Sequence, residues 1–205
     1  MRYQLREFLK FLQNGINVPG ELESSGEFKV LHLSDTPSTI YPAITDMLAA
    51  LRPDAIIHTG DIADDIKLGD SRRYLRQYRR TVEPFLKSLA LSTAQFYIVP
   101  GNHDSEPFIE SNVPPGSVVN PGFVINIGGT SFGVAHYLSD LPDGARYNLY
   151  GHNLDMPDGP GDAVFLNGVR TINVILLPSG KVISLRYPNG TNHYRKYRNN
   201  PPKLF

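Results

Sequence analysis

A strand-like run that ends in polar residues occurs three times in succession in the first half of this chain. The runs are short and apolar, and they cover residues 28–33, 55–57 and 96–99. Apolar residues at helical spacing follow the first two runs, within residues 44–51 and 75–89. Because a β-α-β-α-β order favours parallel strands with helices packed on them, the sequence predicts an α/β fold.

The second half of the chain is predicted to be mainly β. After residue 105, prolines and glycines interrupt the sequence too often for a long helix. Two hairpins are indicated, one of residues 123–127 with 131–135 and the other of residues 171–177 with 181–186. The polar tail is interpreted as an ordered edge or a frayed end.

Length and apolar content predict a single functional domain. The chain has 205 residues and is 40% apolar, which is enough to bury a core. Residues 2–13 carry apolar side chains at helical spacing, so residues 1–27 are predicted to form an N-terminal docking helix and linker. Residues 28–205 form the predicted domain, and the apolar face of the docking helix would allow homo-oligomers.

Charge and cysteine content exclude some partners and some kinds of site. Lysine plus arginine equals aspartate plus glutamate at 20 each, so no overall positive charge attracts nucleic acid. There is no cysteine, which excludes thiolate metal sites, disulfides and cysteine nucleophiles. The sequence shows neither an apolar run of about 18 residues nor signal-peptide features, so we expect a cytoplasmic protein without a membrane partner.

Polar side chains follow the predicted strands and carry the candidate chemistry. They are Asp35, Asp61, Asn102, His103, Asp104, His136 and His152. Loops after the carboxyl ends of strands line one crevice in an open α/β sheet, so these groups can converge. Carboxylate, amide oxygen and imidazole together favour a transition metal over Ca²⁺ or Mg²⁺. We expect Mn²⁺ first, with Fe²⁺, Zn²⁺ or Ni²⁺ as alternatives.

The ordered set of motifs resembles the calcineurin-like metallophosphoesterases over roughly residues 28 to 155. The family pattern runs Asp-x-His, Gly-Asp, Gly-Asn-His-Asp/Glu, a lone His and Gly-His-x-His. It corresponds here to Asp35-Thr36-Pro37, Gly60-Asp61, Gly101-Asn102-His103-Asp104, His136 and Gly151-His152-Asn153-Leu154. The resemblance implies a four-layer α-β-β-α sandwich, in which two mixed sheets are flanked by helices.

The resemblance implies two metal sites, of which one is intact here. Asp61 would bridge two metals, and Asn102, His136 and His152 would complete the second site. The first site would keep Asp35 but has Pro37 and Leu154 where the family has histidines. One firmly bound ion is therefore expected, with a second weak or absent unless Asp64, Asp65 or Asp155 assists.

The mechanism implied by the resemblance is attack on phosphorus by a metal-activated hydroxide, which hydrolyses a phosphodiester or a small phosphomonoester. His103 would protonate the leaving oxygen or stabilise the phosphoryl oxygens, and Asp104 would orient its ring. Two histidines on the predicted strands, His32 and His58, are interpreted as packed or hydrogen-bonded rather than as ligands.

Two other functions stay open on the sequence alone. Loss of both first-site histidines favours a binding or scaffold protein that kept the fold and lost activity. An arginine-rich predicted helix gives the weaker alternative of a nuclease, which the neutral overall charge opposes.

Overall fold

The computed structural model describes residues 15–157 and 163–195. The helices are α1 (Gly20–Glu23), α2 (Tyr41–Leu51), α3 (Leu75–Leu91), α4 (Glu106–Glu110) and α5 (Thr191–Tyr194). The strands are β1 (Phe28–Leu33), β2 (Ala55–His58), β3 (Gln95–Ile98), β4 (Phe123–Ile127), β5 (Thr130–Val134), β6 (Tyr147–Tyr150), β7 (Val164–Asn167), β8 (Ile172–Leu177) and β9 (Val182–Leu185).

The first sheet has the strand order β3-β2-β1-β8-β9. Strands β1, β2 and β3 are parallel and are connected through α2 and α3, as their sequence pattern predicts. Strand β8 pairs antiparallel with β1, and β9 pairs antiparallel with β8, so the sheet is mixed. The carboxyl ends of β1 to β3 therefore lie along one edge, where their loops meet.

Helix α3 buries one apolar stripe and exposes its arginines. Proline usually kinks or ends a helix, but this helix runs unbroken from Leu75 to Leu91 with Pro84 inside it. Pro84 is on the exposed face. Water can therefore bind the carbonyl group that has lost its helical donor, and the chain continues as a helix.

The second sheet has the order β4-β5-β6-β7. Strands β4 and β5 form the predicted hairpin around Gly128 and Gly129. The turn requires positive φ angles, 56° and 77°, which glycine adopts without strain. Strands β5, β6 and β7 are parallel to one another, so this sheet is also mixed. The predicted second hairpin, β8 with β9, is confirmed as well.

Two apolar layers hold the fold together. Val30, Ile57 and Ile175 of the first sheet face Phe132 and Leu149 of the second. Alternate residues of the first sheet, with the buried residues of α1 to α4, form the other layer. The expected α/β architecture of two mixed sheets with flanking helices is confirmed.

The described N-terminal residues belong to the core. The predicted docking helix, residues 2–13, lies outside the described residues, and the domain boundary after residue 27 stays a prediction. Ile16, Val18 and Leu22 are buried in the same core as α2 and α3. Among the described residues, no helix is long and apolar enough to cross a membrane.

Candidate metal centre

The loops after five strands bring the predicted ligands together. Asp35, Asp61 and Asn102 follow β1, β2 and β3 of the first sheet, and His136 and His152 follow β5 and β6 of the second. Backbone hydrogen bonds join neighbouring loops: Asp35 N–H donates to Gly60 O at 2.9 Å, and Gly151 N–H donates to His136 O at 3.0 Å. Face-to-face packing of the two sheets thus builds one site from residues far apart in sequence.

Three of these residues have a left-handed backbone. The φ angles are 51° for Asp35, 53° for Asp61 and 65° for His152. A positive φ is unfavourable for residues with a Cβ, and such conformations concentrate at functional sites where the surroundings enforce them. Gly60 enables the close packing, because a Cβ there would lie 2.6 Å from Gly101 N.

His136 directs one ring nitrogen at two oxygen atoms. Its Nδ1 lies 2.7 Å from Thr59 O, and a carbonyl oxygen can only accept, so Nδ1 carries a proton. Its Nε2 lies 3.0 Å from Asn102 Oδ1 and 3.6 Å from Asp61 Oδ2. A cation could be held by these two oxygens together with the lone pair that Nε2 has in a neutral ring.

His152 completes this group. Ligand atoms of Asp61, His136 and His152 all lie within 4.8 Å of one another. Burial, followed by His136, lowers the pKa of His152, so its ring is neutral at neutral pH and can donate a lone pair. With Asn102 the set offers two oxygens and two imidazoles, which fits a divalent transition metal.

Asp61 needs a positive partner. It is 2% exposed, and its Oδ1 accepts a hydrogen bond from His103 N–H at 2.9 Å. Burial, followed by Asp35 and Asp104, raises the pKa of Asp61 well above the ordinary range. A bound cation would remove this penalty and keep the carboxylate ionised.

The first site of the resemblance lacks two of its side-chain ligands. Pro37 and Leu154 offer no side-chain donor atom, and Asp35 Oδ2 already accepts from Ser34 Oγ at 2.6 Å and from His152 N–H at 3.0 Å. Asp35 therefore holds two loops together.

The acidic neighbours do not repair this first site. Asp65 accepts two hydrogen bonds from Ser38, both at 2.7 Å, and the exposed Asp155 accepts from Asn153 at 2.6 Å. Asp64 is buried beside Asp61, but Lys67 forms an ion pair with it.

Asp104 does not orient the ring of His103, contrary to the sequence-based expectation. Its carboxylate accepts four hydrogen bonds, from the N–H groups of Asp61, Ile62 and Gly101 and from the hydroxyl of Tyr78, at 2.8 to 3.0 Å. These bonds fasten the loop after β2 to the loop after β3. Burial nevertheless raises the pKa of Asp104, against the lowering effect of its donors.

His103 lies next to Asp61 and Asp64 at the site. Burial, followed by the charge of Lys67, lowers the pKa of His103 to about 4, so the half-buried ring is neutral at neutral pH. Its Nδ1 is buried without a hydrogen-bond partner. Gly69 permits this packing, because a Cβ there would lie 2.8 Å from Nδ1.

The two strand histidines are packed and hydrogen-bonded, as predicted. His32 Nε2 lies 3.0 Å from Thr59 Oγ1, and His58 Nε2 lies 3.0 Å from Thr36 Oγ1. Burial lowers the pKa of each ring to about 3. Both rings are therefore neutral structural groups.

Three residues at the site carry no motif and were missed by sequence reasoning. The Tyr137 hydroxyl donates to Asn102 Oδ1 at 3.1 Å, which fixes the amide, and Lys67 pairs with Asp64. Arg195, in the tail, is fully buried and donates to Asp35 O and Val169 O, both at 2.7 Å. Only the position of Tyr137 directly after His136 gave a signal in the sequence.

A family model described as calcineurin-like phosphoesterase matches residues 28–203. The chain belongs to the calcineurin-like phosphoesterase family. The family supports metal-dependent phosphoester hydrolysis as the general chemistry of this site. No curated protein matches the chain significantly.

Two solved structures have the same fold as this calcineurin-like phosphoesterase. Yfce, a phosphoesterase from E. coli, aligns with a TM-score of 0.52 and 16% sequence identity, covering 79% of this chain and 100% of that one. A second structure aligns with a TM-score of 0.52 and 11% identity, covering 78% of this chain and 99% of the other. At these identities the likeness concerns the fold.

Proposed function

We propose that this protein hydrolyses phosphate esters with a single firmly held divalent ion. The observation that supports this proposal is the convergence of Asp61 Oδ2, Asn102 Oδ1 and His136 Nε2, with His152 beside them. A divalent transition metal, with Mn²⁺ as first choice, would fit these four donors. It would supply Lewis acidity towards the phosphoryl group and would acidify water.

Two neighbouring groups hold the metal-binding side chains of Asn102 and His136 in place. The hydroxyl of Tyr137 holds the amide of Asn102, and Thr59 O holds the ring of His136, so both donors are fixed before any ligand arrives. Such preorganisation reduces the reorganisation that the reaction requires.

His103 is proposed as the group that contacts the substrate. Since its pKa is lowered to about 4, the ring at neutral pH is an N–H donor rather than an acid, and a hydrogen bond to a phosphoryl oxygen is its best role. Its backbone is already anchored, because its N–H donates to Asp61 Oδ1.

The proposed substrates are phosphodiesters or small phosphorylated molecules. The formal net charge is zero, so the substrate must be bound by local contacts rather than by an extended basic surface. Neither a nucleic acid nor a membrane is proposed as a partner. A cytoplasmic location and self-association through residues 2–13 stay predictions.

An inactive scaffold is the second candidate, and the replacements at Pro37 and Leu154 favour it. The nuclease alternative has weaker support. Its arginines, Arg72, Arg73, Arg76, Arg79 and Arg80, are all exposed. This exposure is typical of a solvated helix face.

Metal binding and turnover in a His103→Ala variant separate the enzyme from the scaffold. The purified chain is loaded with Mn²⁺, its metal content is measured by mass spectrometry, and hydrolysis of bis-p-nitrophenyl phosphate and p-nitrophenyl phosphate is followed. We expect the variant to keep its ion and to lose about 10²- to 10³-fold in turnover, because a hydrogen-bond donor to the substrate is removed while the ligands remain.

His193→Ala is the matched control, since His193 is exposed in α5. It should bind metal and turn over substrate like the wild type. Wild-type protein that binds Mn²⁺ but hydrolyses neither compound would support the scaffold. Full activity in His103→Ala would contradict the role of that ring.

A further inference from the structure

Two further buried carboxylates, those of Asp35 and Asp64, lie close enough to Asp61 to interact with it. Asp35, Asp61 and Asp64 are 1%, 2% and 0% exposed. Ligand atoms of Asp61 and Asp64 lie within 4.8 Å of each other, and Asp35 and Asp64 both disfavour ionisation of Asp61. Buried carboxylates so close together need positive charge, which a metal ion would supply in the family pattern.

Lys67 brings such a charge to this position. Its Nζ forms an ion pair with Asp64 Oδ1, and its side chain is 18% exposed. Asp64 Oδ2 is buried without a hydrogen-bond partner. One oxygen of Asp64 therefore holds the ammonium group while the other is left with an unused lone pair beside the site.

The ammonium group lies beside the carboxylates of the site. Ligand atoms of Asp61, Asp64 and His103 lie within 4.8 Å of one another, and Nζ binds the carboxylate of Asp64.

The backbone around Lys67 has an unusual conformation and packs tightly. Its φ angle is 51°, in the left-handed region, and it begins the turn Leu68–Asp70. Gly69 in that turn packs so closely on the loop after β3 that a Cβ would collide with Asn102 O. Lys67 therefore lies in a segment that packs tightly against the loop after β3.

Arg195 does not fill the same role. Its guanidinium group also favours ionisation of Asp64, but its hydrogen bonds go to Ser34 O, Asp35 O, Val169 O and Asn192 Oδ1. It is used to hold backbone carbonyls rather than the carboxylates.

We propose that the ammonium group of Lys67 replaces the first metal ion, so that the site works with one divalent ion and one built-in cation. This inference rests on the proposed function in one respect, the ion at Asp61, Asn102, His136 and His152. It predicts that Lys67 and a second ion exclude each other, because both would occupy the space beside Asp61 and Asp64.

The test counts Mn²⁺ ions in a Lys67→Met variant by isothermal titration and by mass spectrometry after equilibrium dialysis. We expect one ion per wild-type chain and two per variant chain, since Asp35, Asp61 and Asp64 lose their resident cation. Lys87→Met is the matched control: it removes an exposed ion pair with Glu83 and should bind one ion.

A second variant guards against a local folding defect. Lys67→Gln keeps a polar end that can bond to Asp64, and it should also gain the second ion. Adding Asp64→Asn to Lys67→Met should return the count to one, which assigns the new ion to this side of the site. Thermal unfolding of each variant checks that it is folded.

The outcomes separate this inference from the proposed function. Two ions in the wild type, or no gained ion in either folded Lys67 variant, would overturn the replacement by lysine. No ion in the wild type with one in Lys67→Met would support the replacement and would contradict the single-ion hydrolase.

Discussion

At the scale of single residues, the site is defined by which hydrogen-bonding atoms are already used. His136 Nδ1 is occupied by Thr59 O, so its other nitrogen is directed at Asn102 and Asp61. Asp104, by contrast, is completely used by the backbone of two loops and by Tyr78. His136 can thus bind a metal ion, whereas Asp104 supports the loops that carry the metal-binding side chains.

Asp104→Asn should destabilise the protein and weaken metal binding. The amide would turn an N–H₂ group towards backbone donors, leaving buried hydrogen bonds unmade, and we expect a loss of about 3 kcal/mol in the free energy of unfolding. Urea denaturation and Mn²⁺ titration measure the two effects. Tyr78→Phe, which removes one of the four donors, should lose about 1 kcal/mol and keep its metal affinity. Equal behaviour of the two variants would contradict the account.

His32→Gln should make stability less sensitive to acid. Burial lowers the pKa of His32 from its ordinary value of 6.5 to about 3, so below pH 6.5 the unfolded chain takes up a proton that the folded chain does not. This contribution to stability is full above pH 6.5 and is lost as the pH falls towards 3. Between pH 7 and pH 5 it amounts to about 2 kcal/mol.

Urea denaturation in EDTA at pH 7 and pH 5 measures this difference. The loss of stability on acidification should shrink by that amount in His32→Gln, whose amide can still bond to Thr59 and Asn173. His193→Gln, at an exposed position, should show the loss of the wild type. An unchanged loss in His32→Gln would show that His32 is protonated in the folded state.

At the scale of elements, the strands whose apolar runs end in polar residues were predictable, whereas β6 and β7 were not. Strands β1 to β3 were predicted to within a residue or two, because apolar runs and their polar ends mark them. Strands β6 and β7 lie in a segment rich in glycine, proline and aspartate. Strand β6 is specified by its pairing with β5 and β7 by its pairing with β6, and no local pattern encodes these non-local pairings.

The tail shows the same limit. Its polar composition indicated an edge or an end, yet Arg195 is buried and its guanidinium group lies 4.5 Å from the centre of the Tyr187 ring. Like Lys67, it is a single charged residue whose role depends on where the fold places it. The candidate metal ligands were predictable because they belong to motifs in a fixed order along the chain. Lys67 and Arg195 belong to no such motif.

Arg195→Met should cost more stability than an arginine at the surface. Ser34 O, Asp35 O and Val169 O would lose a buried donor, and we expect a decrease of about 3 kcal/mol in the free energy of unfolding. Arg76→Met, on the exposed face of α3, should change stability by less than about 0.5 kcal/mol. If urea denaturation gave the same value for both, α5 would not fasten the loop after β1.

At the scale of the whole molecule, two sheets packed face to face create a site that neither sheet contains alone. The first sheet supplies oxygen donors and the second supplies imidazoles, so the packing between Val30, Ile57, Phe132 and Leu149 sets the distance between them. Bound metal should therefore stabilise the folded chain as a whole, because the unfolded chain lacks the assembled site.

Anomalous diffraction from crystals of the Mn²⁺-loaded protein tests the central claim most directly. We predict one strong peak within ligand distance of Asp61, Asn102, His136 and His152, with Lys67 Nζ still paired to Asp64. No peak between these four side chains, or a peak only beside Asp64, would contradict the account.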